Sequence, residues 1–262
     1  MTGSPDVRLV VSDMDGTLLT SGGVVPDDFW PLLETMRRRG ITFVPASGRQ
    51  YATLARIFGG VPDGVSYVAE NGNLVVHDGE VLAATRMDRD VVADVVARTR
   101  GATGFDLGVV ACGRRGAYIE RVDPPFAAEV ATYYAKLTEV ADLNEIDDDV
   151  LKLAIFDFGP AAASASVFAP LAETHQVVVS SPHWIDIMEP DVHKGRAVQQ
   201  LQSVLGVTPA QTVVFGDYLN DLEMLDVAEL SYAVGDAHPQ VRDRARFHAP
   251  GVVPTLTALL AP

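Results

Sequence analysis

One cysteine, Cys112, stands in the whole 262-residue chain. No disulfide can therefore form within it, and a reducing compartment suits its lone thiol. With apolar residues on both sides, Cys112 is expected to fill core. Basic residues are also scarce: 20 Lys and Arg face 35 Asp and Glu, giving a formal charge of -15 and a pI near 4.6. Such a field repels polyanions, which argues against nonspecific binding to nucleic acid or to anionic membranes. A small anion held by a few local cations stays compatible with it. No apolar run approaches the roughly 18 residues of a membrane span. The start, Met1-Thr2-Gly3-Ser4-Pro5-Asp6, lacks the charged-then-apolar pattern of a targeting signal. Repeats at solenoid periods are missing too, and the one biased tract, Ala161-Ala162-Ala163-Ser164-Ala165-Ser166, reads as a helix of small residues. The expectation is a soluble, cytoplasmic protein whose oligomeric state the sequence leaves open. What the chain has in quantity is apolar: 48% of its residues are hydrophobic, enough for one large domain or a core with an insert.

The organising stretch is Leu9-Val10-Val11-Ser12-Asp13-Met14-Asp15-Gly16-Thr17-Leu18-Leu19, an apolar run that ends in two carboxylates one residue apart. Read as a buried parallel strand ending at Ser12, it sets Asp13 and Asp15 at the carboxyl end, where open α/β sheets bind their ligands. Two acids so close repel unless they share a cation. A hard divalent ion such as Mg²⁺ takes carboxylate, carbonyl and phosphate oxygens together, which points to a phosphate site.

Along the chain, Phe29, Leu32, Leu33 and Met36 cover one face of a helix that opens after Pro26-Asp27-Asp28 and stops at Gly40. Ile41 to Val44 reads as a strand, followed by Ser47-Gly48-Arg49 and a helix carrying Tyr51, Leu54, Ile57 and Phe58. A strand over Ser66 to Ala69 meets Glu70-Asn71-Gly72, and a hairpin turns at Asp78-Gly79. Strand-helix alternation of this kind predicts a doubly wound parallel sheet. From about Met87 the pattern changes to helices among paired, one-face-polar strands, which predicts a smaller α+β unit with an antiparallel, half-exposed sheet. The expected division is a core over 1–82, an inserted unit over 83–181, and a core again over 182–262. In the last part Trp184 to Met188 reads as a strand, Lys194-Gly195 opens a helix, and Thr212 to Phe215 is a buried strand running into Gly216-Asp217-Tyr218-Leu219-Asn220-Asp221. His183, Trp184 and His193 are read as packing or loop residues.

These pieces resemble the four motifs of the haloacid dehalogenase superfamily, and they occur in its order: Asp13-Met14-Asp15-Gly16-Thr17-Leu18, Ser47-Gly48-Arg49, Lys194-Gly195, and Gly216 to Asp221. Only 30 positions separate Thr17 from Ser47, whereas 147 separate Ser47 from Lys194. The insert therefore lies between the second and third motifs, which resembles the Cof-like group with a type-II α/β cap, subclass IIB, on a Rossmann-like core. Glu70-Asn71-Gly72 and Val234-Gly235-Asp236-Ala237 also match short signatures of that group. Tyr218, Asp236 and the loop Ala249-Pro250-Gly251-Val252 depart from its usual residues.

The resemblance implies a Mg²⁺-dependent phosphatase acting on a small phosphorylated metabolite, a sugar phosphate first of all. Asp13 would be the nucleophile and form an aspartyl-phosphate. Asp15 would be the general acid and base. Asp13, the main-chain carbonyl of Asp15, and Asp217 would hold the metal. Ser47, Gly48, Lys194 and Asn220 would contact the phosphoryl oxygens, with Thr17 and Asp221 in support. A phosphosugar mutase is the alternative enzyme. A non-catalytic ligand-binding regulator ranks lower, because both Asp13 and Asp15 are present.

Overall fold

The computed structural model describes residues 5–59 and 63–261, so Met1 to Ser4 of the opening segment lie outside it. In chain order the strands and helices of the first stretch are β1 (Leu9–Asp13), α1 (Phe29–Arg38), β2 (Thr42–Ala46), α2 (Tyr51–Ile57), β3 (Tyr67–Ala69), β4 (Leu74–His77) and β5 (Glu80–Ala84). Then come α3 (Arg89–Gly101), β6 (Leu107–Gly113), β7 (Ala117–Ile119), α4 (Pro124–Tyr133), β8 (Leu137–Glu139), β9 (Val150–Asp157), α5 (Ala161–Ser164), β10 (Gln176–Ser181) and β11 (Trp184–Met188). The chain closes with α6 (Lys194–Leu205), β12 (Thr212–Gly216), α7 (Leu222–Asp226), β13 (Leu230–Val234), α8 (Pro239–Arg244), β14 (Phe247–Ala249) and α9 (Val252–Leu259). It divides into two compact units, one of Met1–Ala83 with His193–Pro262 and one of Ala84–Val192.

Among the described residues the first unit holds a sheet in the order β14-β13-β12-β1-β2-β3-β4-β5. From β14 to β3 every pair is parallel, and β4 turns antiparallel to β3. The run Leu9 to Asp13 is buried along its whole length, as a central strand covered on both faces must be. Side chains alternate between those faces. Leu9, Val11, Val44 and Val214 pack with Val198 and Leu201 of α6 and with Met224 and Leu225 of α7. On the other side Phe43 meets Phe29 of α1 at 4.9 Å between ring centroids and Phe58 at 5.7 Å. Each of these rings contributes on the order of 1.5–3 kcal/mol by leaving water. The β4–β5 hairpin turns on Asp78 and Gly79, both at positive φ, the conformation a two-residue turn of this twist needs.

The second unit is a separate sheet, β10-β11-β9-β6-β7-β8. Val109, Ala111, Leu153, Ile155, Ile185 and Ile187 line one face and pack on Val92, Val95 and Val96 of α3. Val110, Cys112, Ala154 and Phe156 line the other and pack on Phe126 and Val130 of α4. Cys112 does fill core, with its thiol 3.4 Å from the Tyr134 hydroxyl.

Four expectations need correction. The return to the first unit was expected at residue 182, but β11 (Trp184–Met188) pairs antiparallel with both β9 and β10 inside the second unit, and the junction falls at Val192/His193. An all-buried apolar strand looks the same in either sheet, so its local pattern could not assign it. The half-exposed sheet holds only toward its edges, since β9 is buried at all eight positions. Its strands are not all antiparallel either, because β7 and β8 run parallel. Finally, the sequence pattern predicts a helix over Pro125 to Lys136; the helix stops at Tyr133, and the short strand β8 follows at Leu137.

Candidate active site

From β1 the chain winds outward in both directions, to β2 and β3 on one side and to β12, β13 and β14 on the other. The carboxyl ends of β1, β2 and β12 therefore converge at a switch point, the place where open α/β sheets bind ligands. Asp13 is the last residue of β1, Ser47 follows β2, and Asp217 follows β12.

Lys194, the first residue of α6, reaches into this point with no exposed side-chain surface. Its Nζ donates to Asp13 Oδ1 at 2.5 Å and to Asp221 Oδ1 at 2.8 Å. The other oxygen of Asp221 accepts the amides of Asp217 (3.0 Å) and Tyr218 (3.2 Å), so one carboxylate oxygen holds Lys194 and the other holds the loop after β12. Thr17 donates its hydroxyl to Asp217 Oδ1 at 2.6 Å. The turn Met14–Leu18 that delivers Thr17 requires glycine at position 16: φ is +86°, and a Cβ there would fall on the Asp217 carboxylate. His193 caps α6, its Nδ1 accepting the Arg196 amide at 3.1 Å, a structural part as expected.

Asp15 turns away from this acid cluster. Its backbone is extended within the turn, and its carboxylate, 57% exposed, takes a two-pronged pair from Arg49, with Nε donating at 2.8 Å and Nη2 at 2.5 Å. Ser47 is buried, and its Oγ accepts the Arg49 amide at 3.1 Å, which folds the loop after β2 back on itself. Asn71 joins Gly48 and Asn220: its Oδ1 accepts from Asn220 Nδ2 at 3.3 Å, and a Cβ on Gly48 would lie 3.0 Å from that same oxygen.

Electrostatically the cluster is short of cations. Carboxylate oxygens of Asp13, Asp217 and Asp221 lie within 4.8 Å of one another, with the Lys194 ammonium among them. Burial pushes the Asp13 carboxyl up to about 8, against the pull of Lys194 and with the repulsion of Asp221 and Asp217 added to it. Burial likewise raises Asp217, opposed by the Thr17 hydroxyl. Lys194 stays firmly protonated, because the attraction of Asp13 and Asp221 together outweighs the cost of burial. Three close acids and one ammonium leave a deficit of positive charge, and the donors are all hard oxygens. That set fits a divalent cation of the magnesium type.

The model of the haloacid dehalogenase-like hydrolases matches residues 10–251, nearly the whole chain. The chain belongs to that family. A 5-amino-6-(5-phospho-D-ribitylamino)uracil phosphatase of Escherichia coli is 31% identical to it over 252 residues, covering 93% of this chain and 90% of the relative. Among solved structures, a haloacid dehalogenase-like hydrolase from Bacteroides thetaiotaomicron superimposes with a TM-score of 0.86 at 23% identity, covering 97% and 99% of the two chains. A subclass IIB sugar phosphatase does so with a TM-score of 0.78 at 17% identity, covering 96% and 98%. The chain is a haloacid dehalogenase-type phosphoric monoester hydrolase of the Cof-like group, with its insert between the second and third motifs.

Sequence reasoning missed two members of this site. Arg49 stands within a motif, but nothing local signals that it meets Asp15, 34 positions away. Asn71 was noticed only as part of a short signature. Its signal was present in the form of Asn before Gly, a pair that favours left-handed backbone. Tyr218, which departs from the group's usual residue, is 57% exposed, and its ring meets His238 edge-on at 5.8 Å between centroids.

Proposed function

We propose that this hydrolase releases phosphate from a small phosphorylated metabolite, most readily a sugar or sugar-alcohol phosphate, through an aspartyl-phosphate on Asp13. The observation that supports this best is the buried Lys194 bonded to Asp13 at the switch point, where it sits within reach of whatever Asp13 attacks. A carboxylate oxygen of Asp13 attacks phosphorus, and the bond to the leaving oxygen breaks. Asp15 gives the departing alkoxide its proton and later takes one from the water that hydrolyses the acyl phosphate. Ser47, the Gly48 amide, Lys194 and Asn220 receive the phosphoryl oxygens, where charge grows in the transition state. Thr17 holds Asp217, and Asp221 holds both Lys194 and the loop carrying Asp217 and Asn220.

Asp13, Asp217 and the main-chain carbonyl of Asp15 are the groups that would hold Mg²⁺. When bound, such an ion supplies charge that lets Asp13 stay ionised and polarises a phosphoryl oxygen. For the substrate, the Escherichia coli relative is named for a phosphorylated ribityl chain, which supports a polyol phosphate. The test is a panel of phosphometabolites including hexose phosphates, pentitol phosphates and that ribitylaminouracil phosphate, each with Mg²⁺ and with chelator. Free phosphate that requires the metal is expected. Isomerised sugar phosphate without released phosphate would instead make the protein a mutase.

A further inference from the structure

Glu70-Asn71-Gly72 has no part in the reaction described above, yet it touches three of the four motifs. Glu70 and Asn71 both sit in the left-handed region, at φ 50° and 58°. Among the described residues the only other non-glycine there is Asp78, in the hairpin turn. Such backbone persists only where its surroundings over-determine it, and it gathers at functional sites. The surroundings here are specific. Glu70 donates its amide to the Arg49 carbonyl at 3.1 Å, and Asn71 donates to the Ser47 carbonyl at 3.0 Å. Gly72 is packed so tightly that a Cβ would come within 2.6 Å of the His193 carbonyl, directly before Lys194. The Asn71 carboxamide lies flat on Gly48, where a Cβ would be 3.0 Å from Oδ1 and 3.2 Å from Nδ2, and the same Oδ1 accepts from Asn220.

We infer that Asn71 is a positioning residue for phosphoryl binding: its carboxamide fixes the Asn220 amide and covers Gly48, so that two donors face the phosphoryl group from set directions. This rests on the reading that Gly48 and Asn220 receive that group. Asn220 is otherwise exposed, in the middle of the single helical turn Leu219–Asp221. An amide with two N–H groups can give one to Asn71 and keep the other for the ligand. The plainer possibility is that asparagine stands at 71 only because it tolerates left-handed backbone.

Replacing Asn71 by glycine separates the two, since glycine keeps the backbone without strain and removes the carboxamide. The measurements are the inhibition constant for inorganic phosphate, KM and kcat with 4-nitrophenyl phosphate, and Tm, on wild type, Asn71→Gly, Asn220→Ala and the double variant. The expected result is a Tm no lower than wild type with phosphate inhibition weakened about tenfold, the scale of one oriented hydrogen bond. Asn220→Ala should lose a similar amount, and the double variant no more than either single one. Wild-type phosphate inhibition in Asn71→Gly beside an impaired Asn220→Ala would reduce Asn71 to a turn residue and overturn the inference, as would losses that simply add. Unchanged inhibition in Asn220→Ala would overturn the phosphoryl-binding assignment itself, and the inference with it.

Discussion

Replacing Lys194 by methionine removes the ammonium that sits among three close carboxylates while keeping most of the length of the side chain. Lys194 and Asp221 have no exposed side-chain surface and Asp13 has 8%, so solvent screens little of this interaction. Removing one partner of a buried pair costs about 3–5 kcal/mol, because the remaining charge is left uncompensated. At about 2–4 °C per kcal/mol for a chain of this size, the expected fall in Tm is about 6–20 °C at pH 8 in chelator. Its pH dependence has a definite sign. Asp13 has a folded-state pKa raised to about 8, far above its unfolded value. An acid raised in this way contributes stability that is complete below the unfolded pKa and is lost as pH rises through the folded one. Metal-free protein therefore loses stability between about pH 4 and pH 8. Without Lys194 the Asp13 pKa climbs further, at about 1.4 kcal/mol for each unit. The deficit of Lys194→Met should thus be larger at pH 8 than at pH 5, and added Mg²⁺ should recover part of it at pH 8. Thermal unfolding of both proteins at the two pH values, in chelator and in Mg²⁺, measures all of this. A variant melting within about 2 °C of wild type at pH 8 in chelator, or a deficit that grows on acidification, would refute the reasoning, given the size of the expected loss.

Other perturbations separate the remaining parts. Arg49→Gln frees the exposed Asp15 carboxylate, so kcat should fall about tenfold or more on alkyl phosphates and much less on 4-nitrophenyl phosphate, whose leaving group needs no proton. Its Tm should move little, because pairs this exposed contribute only about 0.2–1 kcal/mol. Thr17→Val removes the hydroxyl that orients Asp217 and should weaken Mg²⁺ binding about 10–100-fold, read by calorimetric titration of the ion. In the second unit Lys152 and Asp186 form a buried pair at 3.7 Å. Lys152→Met alone should cost about 3–5 kcal/mol in denaturant unfolding, and Lys152→Met with Asp186→Leu should recover most of it.

Much of the first unit was legible because its strands are short apolar runs closed by glycine, serine or aspartate, a pattern with few other uses. Leu9 to Asp13 and Thr212 to Gly216 are buried at every position, the first ending on Asp13 and the second running directly into Asp217, acids the sequence singles out. Pairing was less legible. Trp184 to Met188 reads plainly as a strand, but its partners are β9 and β10, and the buried Asp186 within it pairs with Lys152, 34 positions earlier. The short strands β8 and β14 are mostly exposed, so they do not stand out from loop as the equally short but fully buried β3 does. At the site, the acids and Lys194 were visible from their types and order. The Arg49–Asp15 pair and the Asn71–Asn220 bond were not, since each joins segments that only the folded sheet brings together.

The most direct test of the covalent reading is to look for the phosphorylated enzyme. Protein mixed with 4-nitrophenyl phosphate and Mg²⁺, then quenched in acid within the first turnover, should carry an acid-stable, base-labile phosphoryl group on the peptide that holds Asp13. Asn in place of Asp13 should abolish both that label and turnover. Turnover at the native rate with no phosphorylated peptide, or with the label on another residue, would contradict it.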